Sequence, residues 1–297
     1  MSQGLKRMRF MRRAMLAMDK PRLMIQGSPK YKASLIKEII VNAQTQRKAD
    51  LIYNEHHDHT TPTCMMIHGG GLFYGDKSLN LHASVEMAKR GFNVINLDYP
   101  LLEKATLHDQ LNDLFATFDF IFSRREEYQL SGDHVVMMGD SAGAYLSLVC
   151  SMLLNNTQPH FGLIYPTVPI KIKAIGLICI MVNLKREDTL SFVHEFAFKH
   201  TKSSDFIHYM ETPLHHIQDA SSCMIIGSED DFLKQDSRET IQACVESNHV
   251  HEALWFEKGG KRPLYHVFPI TFPQFEESQK VFDELALFFK AHCHPIV

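Results

Sequence analysis

The chain has 297 residues, of which 45% are hydrophobic and 22% are charged. This composition is typical of a globular protein with a large buried core, and it excludes a disordered or collagen-like chain. The net charge of -3 indicates neither a nucleic-acid partner nor a membrane surface for the chain as a whole.

The amino-terminal segment, residues 1–35, is predicted to be helical and is strongly basic. Four methionines recur there at helical spacing, with Arg and Lys between them (Met8, Met11, Met15, Met18). Residues 1–50 hold 12 Lys/Arg and 3 Asp/Glu, a balance that is compatible with a membrane or polyanion contact. We expect the simpler arrangement, in which the basic face is solvated and the methionines dock on the core.

Two strands follow, at 39–43 and 49–53, and the chain then alternates between short apolar runs and helical patterns. The apolar runs are at 64–67, 92–97, 135–138, 174–182, 223–226 and 252–256. The helical patterns are at 78–90, 107–123, 142–155, 237–246 and 274–291. This alternation predicts an α/β fold with a mostly parallel sheet that is covered by helices on both faces.

Two connections stand out from this pattern. The His-rich segment 54–59 has the composition of a metal site, but its position between two strands predicts a solvated hairpin turn. About 40 residues separate 182 from 223, which is long for a connection in a compact domain. Helical spacing of Phe192 and Phe196 within it predicts an inserted helical cap at about 183–220. We therefore expect a catalytic domain over 36–297 with this insertion, and an amino-terminal cap segment over 1–35.

The cysteines indicate a reducing compartment. None of the six belongs to a CxxC pair, and Cys64, Cys179 and Cys223 lie in or beside apolar runs, so buried thiols are expected rather than a disulfide framework. The first 20 residues lack the uninterrupted apolar region of a secretory signal. The longest apolar stretch, 174–182, is far below the ~20 residues that span a bilayer. A cytoplasmic protein without a transmembrane segment is expected.

The motif Gly139-Asp140-Ser141-Ala142-Gly143 has the form G-x-S-x-G. It follows a predicted strand and begins a predicted helix, which is the sharp turn that exposes a nucleophilic serine. Ser141 is therefore the candidate nucleophile.

A second glycine motif, His68-Gly69-Gly70-Gly71, directly follows the run at 64–67. Glycines allow backbone N–H groups to face a ligand closely. We expect the N–H groups of Gly69, Gly70 and Ala142 to form an oxyanion hole, in which one donor typically contributes ~3 kcal/mol to lowering the barrier.

A nucleophilic serine needs a base, and the base needs an orienting acid. In this kind of fold the catalytic groups follow the carboxyl ends of parallel strands, in the order Ser, acid, His. The run at 223–226 is followed by Glu229, Asp230 and Asp231, and the loop after the next run leads to His266. The remaining late histidines precede that run or follow the last helix (His249, His251, His292, His294). His266 is therefore the candidate base.

The sequence resembles the hormone-sensitive-lipase family of α/β-hydrolases. The resemblance rests on HGGG at 68–71, the pair Asp98-Tyr99, GDSAG at 139–143 and the segment His266-Val267-Phe268, in order and spacing, over about 40–292. It implies an eight-stranded sheet, a helical cap over the active site and no cofactor or metal.

The resemblance also implies which acid completes the triad. Family members often have Asp followed by x-Leu after the penultimate strand, which matches Asp231-Phe232-Leu233, while Asp230 stays open as the alternative. The chain departs from the family pattern at Ala144, where a further Gly is frequent, and at 100–103 after the Asp-Tyr pair.

These residues together predict a serine carboxylic-ester hydrolase that acts on short- to medium-chain acyl esters through an acyl-enzyme. The expected partner is a small-molecule ester and not a nucleic acid, and a homodimer is compatible with the sequence. An amidase, peptidase or arylformamidase-like hydrolase with the same triad is the first alternative. A non-catalytic small-molecule-binding protein is the second, although such proteins usually lose the base or the nucleophile.

Overall fold

The computed structural model describes residues 2–29, 31, 34–156, 161–168, 170–186 and 190–293. Within these ranges one sheet contains eight strands: β1 (Leu35–Asn42), β2 (Arg47–Ile52), β3 (Thr63–Ile67), β4 (Asn93–Leu97), β5 (Val135–Asp140), β6 (Ile172–Ile178), β7 (Ser222–Ser228) and β8 (His251–Phe256). The α-helices are α1 (Gln3–Gln26), α2 (Leu81–Lys89), α3 (Leu107–Ser123), α4 (Arg125–Tyr128), α5 (Ala142–Asn155), α6 (Phe192–Ala197), α7 (Ser204–Glu211), α8 (Lys234–Glu246), α9 (Phe268–Thr271) and α10 (Glu276–Cys293). Short 3₁₀ helices occupy Lys77–Asn80 and Pro213–Asp219.

The strands follow the spatial order β1-β2-β4-β3-β5-β6-β7-β8. β1 and β2, at one edge, pair antiparallel with their neighbours, and all pairs from β4 to β8 are parallel. This confirms the predicted fold class. Every residue of β3, β4 and β5 is buried, because helices cover both faces of a parallel sheet.

The sheet separates two hydrophobic cores. One contains Leu111 and Phe115 of α3 with Leu148 of α5, and the other contains Phe282 and Phe289 of α10. The pairing of Ile67 with Gly139 in the β3–β5 register brings the carboxyl ends of these strands side by side. The HGGG loop and the Ser141 turn therefore start next to each other.

Three sequence predictions differ from the structure. The amino-terminal helix ends at Gln26 rather than near residue 35, because Gly27 adopts φ 59°; residues 30, 32 and 33 lie outside the described ranges. The predicted strand at 174–182 ends at Ile178, because Cys179 adopts φ 49° and leaves the extended conformation. The segment 54–59 is a loop and not a hairpin, because β2 pairs with β1 and β4 whereas β3 pairs with β4 and β5.

The region of the predicted cap insertion contains α6, α7 and the 3₁₀ helix Pro213–Asp219, and α1 packs against α6. Residues 187–189 of this region lie outside the described ranges. None of the helices in the described part of the chain combines the length and the apolar character needed to cross a membrane.

We expect Gly143→Ala to destabilise the fold by about 3 kcal/mol, in the range that overpacking of a tight contact costs. A Cβ at Gly143 would lie 2.1 Å from the Ile67 carbonyl oxygen, so α5 would have to move away from β3. Urea denaturation measures the change. Gly132→Ala is the matched control, because its nearest contact would be 3.4 Å from Phe122, and it should leave the midpoint almost unchanged. Equal midpoints for the two variants would contradict this packing argument.

Candidate active site

Ser141 lies in a tight turn between β5 and α5. Its backbone adopts φ 52° and ψ -115°, a conformation that non-glycine residues rarely adopt and that is often found at functional sites. Its N–H donates to the Ile178 carbonyl at 2.9 Å. A Cβ at Gly139 would lie 2.4 Å from the Gly143 carbonyl carbon, so the two motif glycines allow strand and helix to approach closely. The turn therefore holds the Ser141 hydroxyl in a fixed position.

The structure brings the three predicted triad residues together. The His266 Nε2 lies 3.0 Å from the Ser141 Oγ, and the His266 Nδ1 lies 2.8 Å from the Asp231 Oδ1. The Asp231 side chain is fully buried, whereas that of His266 is 18% exposed. This geometry allows His266 to accept the serine proton while Asp231 fixes the ring orientation.

Asp230 occupies a different position. Its Oδ2 accepts a hydrogen bond from the Leu264 N–H at 3.0 Å. It therefore ties the loop that leads to His266 to the loop after β7, while Asp231 contacts the ring itself.

The other late histidines lie away from Ser141. The ring nitrogens of His249, His251 and His292 contact the backbone carbonyls of Ser221, His249 and Phe288, respectively. His294 lies outside the described residues.

The prediction that Gly69 donates to an oxyanion is corrected by the structure. The Gly69 N–H already donates to the Asp140 Oδ1 at 3.0 Å, so it is not available to a ligand. Among the described residues, the N–H groups of Gly70 and Gly71 have no acceptor, and both glycines line the active-site cavity. Ala142 is the first residue of α5, where backbone N–H groups have no partner within the helix. Gly70, Gly71 and Ala142 are therefore the available donors, and Gly71 was missed by the sequence reasoning.

Asp140 anchors the glycine loop. Its Oδ1 accepts from the Gly69 N–H and, at 2.8 Å, from the Asn80 Nδ2. Burial raises the pKa of the Asp140 carboxyl above its ordinary value, while the Asn80 hydrogen bond and the nearby His266 oppose that rise. This carboxylate connects the nucleophile turn with the loop that carries the available donors.

We expect Asp140→Ala to lower kcat about 10- to 100-fold with little change in KM, because removal of a whole oxyanion donor costs about 100- to 1000-fold and the loosened loop keeps its donors. Steady-state kinetics on an acyl ester measures both constants. Asp133→Ala, in an exposed turn before β5, is the control and should match the wild type. A change in KM alone would contradict the anchoring role.

A second pair of contacts supports the same loop. The Tyr99 hydroxyl donates to the His68 carbonyl at 3.0 Å, and the two rings stack with centroids 4.3 Å apart. Asp98 accepts from the Lys77 N–H at 2.7 Å. From the β4 side, Tyr99 thus stabilises the glycine loop, while Asp98 holds the start of the 3₁₀ helix Lys77–Asn80.

Cys179 lies beside the acid of the triad. The Cys179 Sγ, an Asp231 carboxylate oxygen and a His266 ring nitrogen all lie within 4.8 Å of one another, and the Asp231 Oδ2 is buried without a hydrogen-bond partner. Burial, and next the Asp231 charge, raise the pKa of the Cys179 thiol well above its usual value. The thiol therefore stays protonated next to the Asp231 carboxylate, and an S–H group is a weak donor. These side chains could also hold a soft metal ion, which would compete with the Asp231–His266 hydrogen bond.

We expect Cys179→Ala to lower kcat about 5- to 10-fold, because the Asp231 carboxylate loses a polar neighbour, whereas Cys179→Ser should stay close to the wild type because a hydroxyl is a stronger donor than a thiol. The pH profile of kcat/KM for the three proteins checks this. If Ser and Ala variants lose activity equally, Cys179 contributes only packing.

The triad opens on a cavity of about 870 Å³. Its walls combine the glycine loop and the catalytic residues with apolar side chains from α1, the cap region, the loop after β7 and the segment around α9 (Met11, Met15, Met18, Ile25, Leu190, Phe232, Phe268, Phe272). The ion pair between Arg22 and Asp19, with nitrogen and oxygen 2.9 Å apart, adds polar groups to the wall. A concave, mostly apolar pocket with few polar groups is typical of a small-molecule site.

Comparisons with known proteins agree with this architecture. A family model described as BD-FAE matches residues 49–237, which is more than half of the chain. A protein of Acanthamoeba polyphaga mimivirus that is named as an alpha/beta hydrolase is 25% identical over 151 residues, covering 48% of this chain and 43% of that protein. The chain thus spans less than half the length of that relative.

Solved esterase structures match almost the whole chain. Esterase B from Lactobacillus rhamnosis superposes with a TM-score of 0.85 at 22% identity, covering 98% of this chain and 95% of that one. An esterase from the archaeon Pyrobaculum calidifontis gives a TM-score of 0.74 at 16% identity, covering 96% and 93%. At these sequence identities, the superpositions establish a shared fold. Together with the family model that matches residues 49–237, they confirm the resemblance that was drawn from the sequence motifs. The chain belongs to the BD-FAE family of α/β-hydrolase-like proteins and has the architecture of a carboxylesterase-like serine hydrolase.

Proposed function

We propose that this protein hydrolyses carboxylic esters of short to medium acyl chains through an acyl-enzyme. The observation that carries the proposal is the continuous hydrogen-bonded series Ser141–His266–Asp231, which opens on a mostly apolar cavity. Such a series activates a serine for attack on an acyl carbon.

In the proposed first step, the Ser141 Oγ attacks the ester carbonyl while its proton passes to the His266 Nε2. The N–H groups of Gly70, Gly71 and Ala142 receive the oxyanion of the tetrahedral intermediate. The Asp231 carboxylate stabilises the imidazolium that forms. His266 then protonates the leaving alcohol, and the acyl group remains on Ser141. Water then attacks the acyl carbon while one of its protons passes to His266. The bond to the Ser141 Oγ breaks, His266 returns the proton to that oxygen, and the acid is released.

The proposed acyl range is supported by the cavity and by a structural neighbour. Its volume of about 870 Å³ lies within the ~300–1,000 Å³ that is usual for ligand pockets. A structure of esterase B from Lactobacillus rhamnosis contains a tributyrin phosphonate inhibitor, a short-chain ester analogue. We propose the same class of acyl group for this protein.

We further propose that residues 1–35 and 183–220 form a cap on a catalytic domain that extends over 36–297. Residues of α1 and Leu190 line the cavity, which supports a role of both segments in substrate fit. A cytoplasmic location is proposed from the six free, buried cysteines. The homodimer stays a prediction.

One test measures turnover of p-nitrophenyl esters from acetate to palmitate and of the matching anilides. A second test treats the protein with a fluorophosphonate probe and identifies the labelled peptide by mass spectrometry. We expect ester turnover with an optimum at short or medium chains, slower anilide turnover, and labelling at Ser141. Faster anilide turnover would instead favour the amidase. Failure of both turnover and labelling would leave a binding protein.

A further inference from the structure

Helix α1 exposes a face that combines basic and apolar side chains. Helix positions three or four residues apart share one side, and six exposed residues recur at this spacing (Lys6, Phe10, Arg13, Ala17, Lys20, Met24). Phe10 is 69% exposed and Met24 is 74% exposed. A helix face on which exposed apolar side chains lie between basic ones is typical of a helix that binds at a membrane interface.

The charge of this helix is opposite to that of the remaining chain. α1 holds seven of the 31 Lys/Arg and one of the 34 Asp/Glu residues, which leaves 24 basic and 33 acidic residues elsewhere. Arg9 and Arg12 pair with Glu103, and Arg22 pairs with Asp19. Across the described part of the chain, four further basic residues of α1 form no ion pair (Lys6, Arg7, Arg13, Lys20).

The same helix borders the mouth of the active-site cavity. Five apolar or aromatic residues that line the cavity are also exposed, and they come from α1, the loop after β7 and the segment around α9 (Met18, Ile25, Phe232, Tyr265, Phe272). Ile25 is 86% exposed and Phe232 is 69% exposed. The outer face of α1 is thus continuous with an apolar rim around the entrance to Ser141.

We propose that the outer face of α1 and this rim dock on an anionic lipid surface, and that the substrate is an ester presented at that surface. The substrate part of this proposal rests on the ester hydrolysis proposed above. Basic side chains near a membrane are attracted by anionic headgroups, and apolar side chains between them enter the headgroup boundary. A nucleic acid would engage the basic residues but would leave Phe10, Met24 and the rim in water. Because the rest of the chain is acidic, repulsion from the surface favours the orientation in which the cavity mouth faces the lipid.

Binding is tested by flotation of the full chain with vesicles of phosphatidylcholine alone and with one quarter phosphatidylserine. One variant removes the unpaired charges of α1 (Lys6→Gln, Arg7→Gln, Arg13→Gln, Lys20→Gln). A second variant replaces the three large exposed apolar side chains of α1 that do not line the cavity, of which Leu16 is 52% exposed (Phe10→Ser, Leu16→Ser, Met24→Ser). A matched charge control changes four lysines at the start of β6 and on α10 (Lys171→Gln, Lys173→Gln, Lys280→Gln, Lys290→Gln).

We expect the wild type to bind the anionic vesicles, and the α1 charge variant to bind about 600-fold more weakly, since each of the four removed charges contributes roughly a fivefold change. The apolar variant should also lose binding, whereas the control should retain it. Equal loss in the control and the α1 charge variant would show unspecific attraction and overturn the proposal. An apolar variant that binds vesicles normally but changes from dimer to monomer in analytical ultracentrifugation would identify a second copy as the occupant, and would also overturn it.

Catalysis at the surface is measured with p-nitrophenyl decanoate dissolved in the same vesicles and with p-nitrophenyl acetate in solution. The α1 charge variant should lose activity on the vesicle-borne ester in proportion to its binding, and should hydrolyse the soluble acetate like the wild type. Equal activity on the vesicle-borne ester in both proteins would overturn presentation at the surface. A wild type that binds vesicles but hydrolyses neither ester would contradict the proposed function and leave the docking in place.

Discussion

Ser141→Ala is expected to lower kcat for an acyl ester by about 10⁵-fold, because the remaining residues can bind the substrate but cannot form the acyl-enzyme. The Ser141 Oγ is the atom that lies 3.0 Å from the His266 Nε2 at the base of the cavity. Stopped-flow and steady-state assays with p-nitrophenyl butyrate measure the loss of kcat. The variant should also lose the fluorophosphonate label.

Ser147→Ala is the matched control on the same helix, α5. The Ser147 Oγ donates to the Gly143 carbonyl at 2.9 Å and does not reach the cavity. Its loss should cost about 1 kcal/mol of stability, the usual contribution of one hydrogen bond, with kcat unchanged within a few-fold. If Ser141→Ala kept most of the ester activity, another nucleophile would have to be found.

Most of the fold could be predicted because the central strands are uniformly apolar and helical periodicity separates them. The end of β6 could not, since Cys179 to Val182 continue the apolar run and are buried like the strand itself. Only the φ of 49° at Cys179 ends the strand, and hydropathy contains no signal for it. The short helices α4 and α9, of four residues each, fall below the length at which periodicity can be recognised.

The candidate triad could be predicted because strand ends determine where its members lie. Ser141 follows β5 directly and Asp231 is the third residue after β7, and the loop after β8 has enough residues to bring His266 to both. The role of Gly69 could not be predicted, because it depends on a hydrogen bond to the side chain of Asp140, which is 71 residues away in the sequence. The approach of Cys179 to Asp231 is likewise a tertiary contact, and the sequence shows only that Cys179 lies in an apolar run.

Asp231→Asn is expected to lower kcat by about 10⁴-fold, the size of loss that follows when the acid of a Ser-His-Asp triad becomes an amide. The Asp231 Oδ1 accepts from the His266 Nδ1 and from the Leu233 N–H, both at 2.8 Å. An amide oxygen can retain these contacts, but it lacks the negative charge that stabilises the imidazolium during acyl transfer. The side chain is fully buried, so solvent cannot replace that charge. Kinetics on a short acyl ester, with KM determined separately, measures the loss.

Asp230→Asn is the comparison that distinguishes the two neighbouring acids. The Asp230 Oδ2 accepts from the Leu264 N–H, a contact that an asparagine oxygen can keep, whereas the carboxylate that contacts the His266 ring is that of Asp231. Its kcat should therefore stay within a few-fold of the wild type, with the same melting temperature. A larger loss for Asp230→Asn than for Asp231→Asn would mean that the loop rearranges during catalysis and that Asp230 moves to the His266 ring. A large loss for both would show that the catalytic His266 needs the tie between the two loops as much as it needs the buried charge.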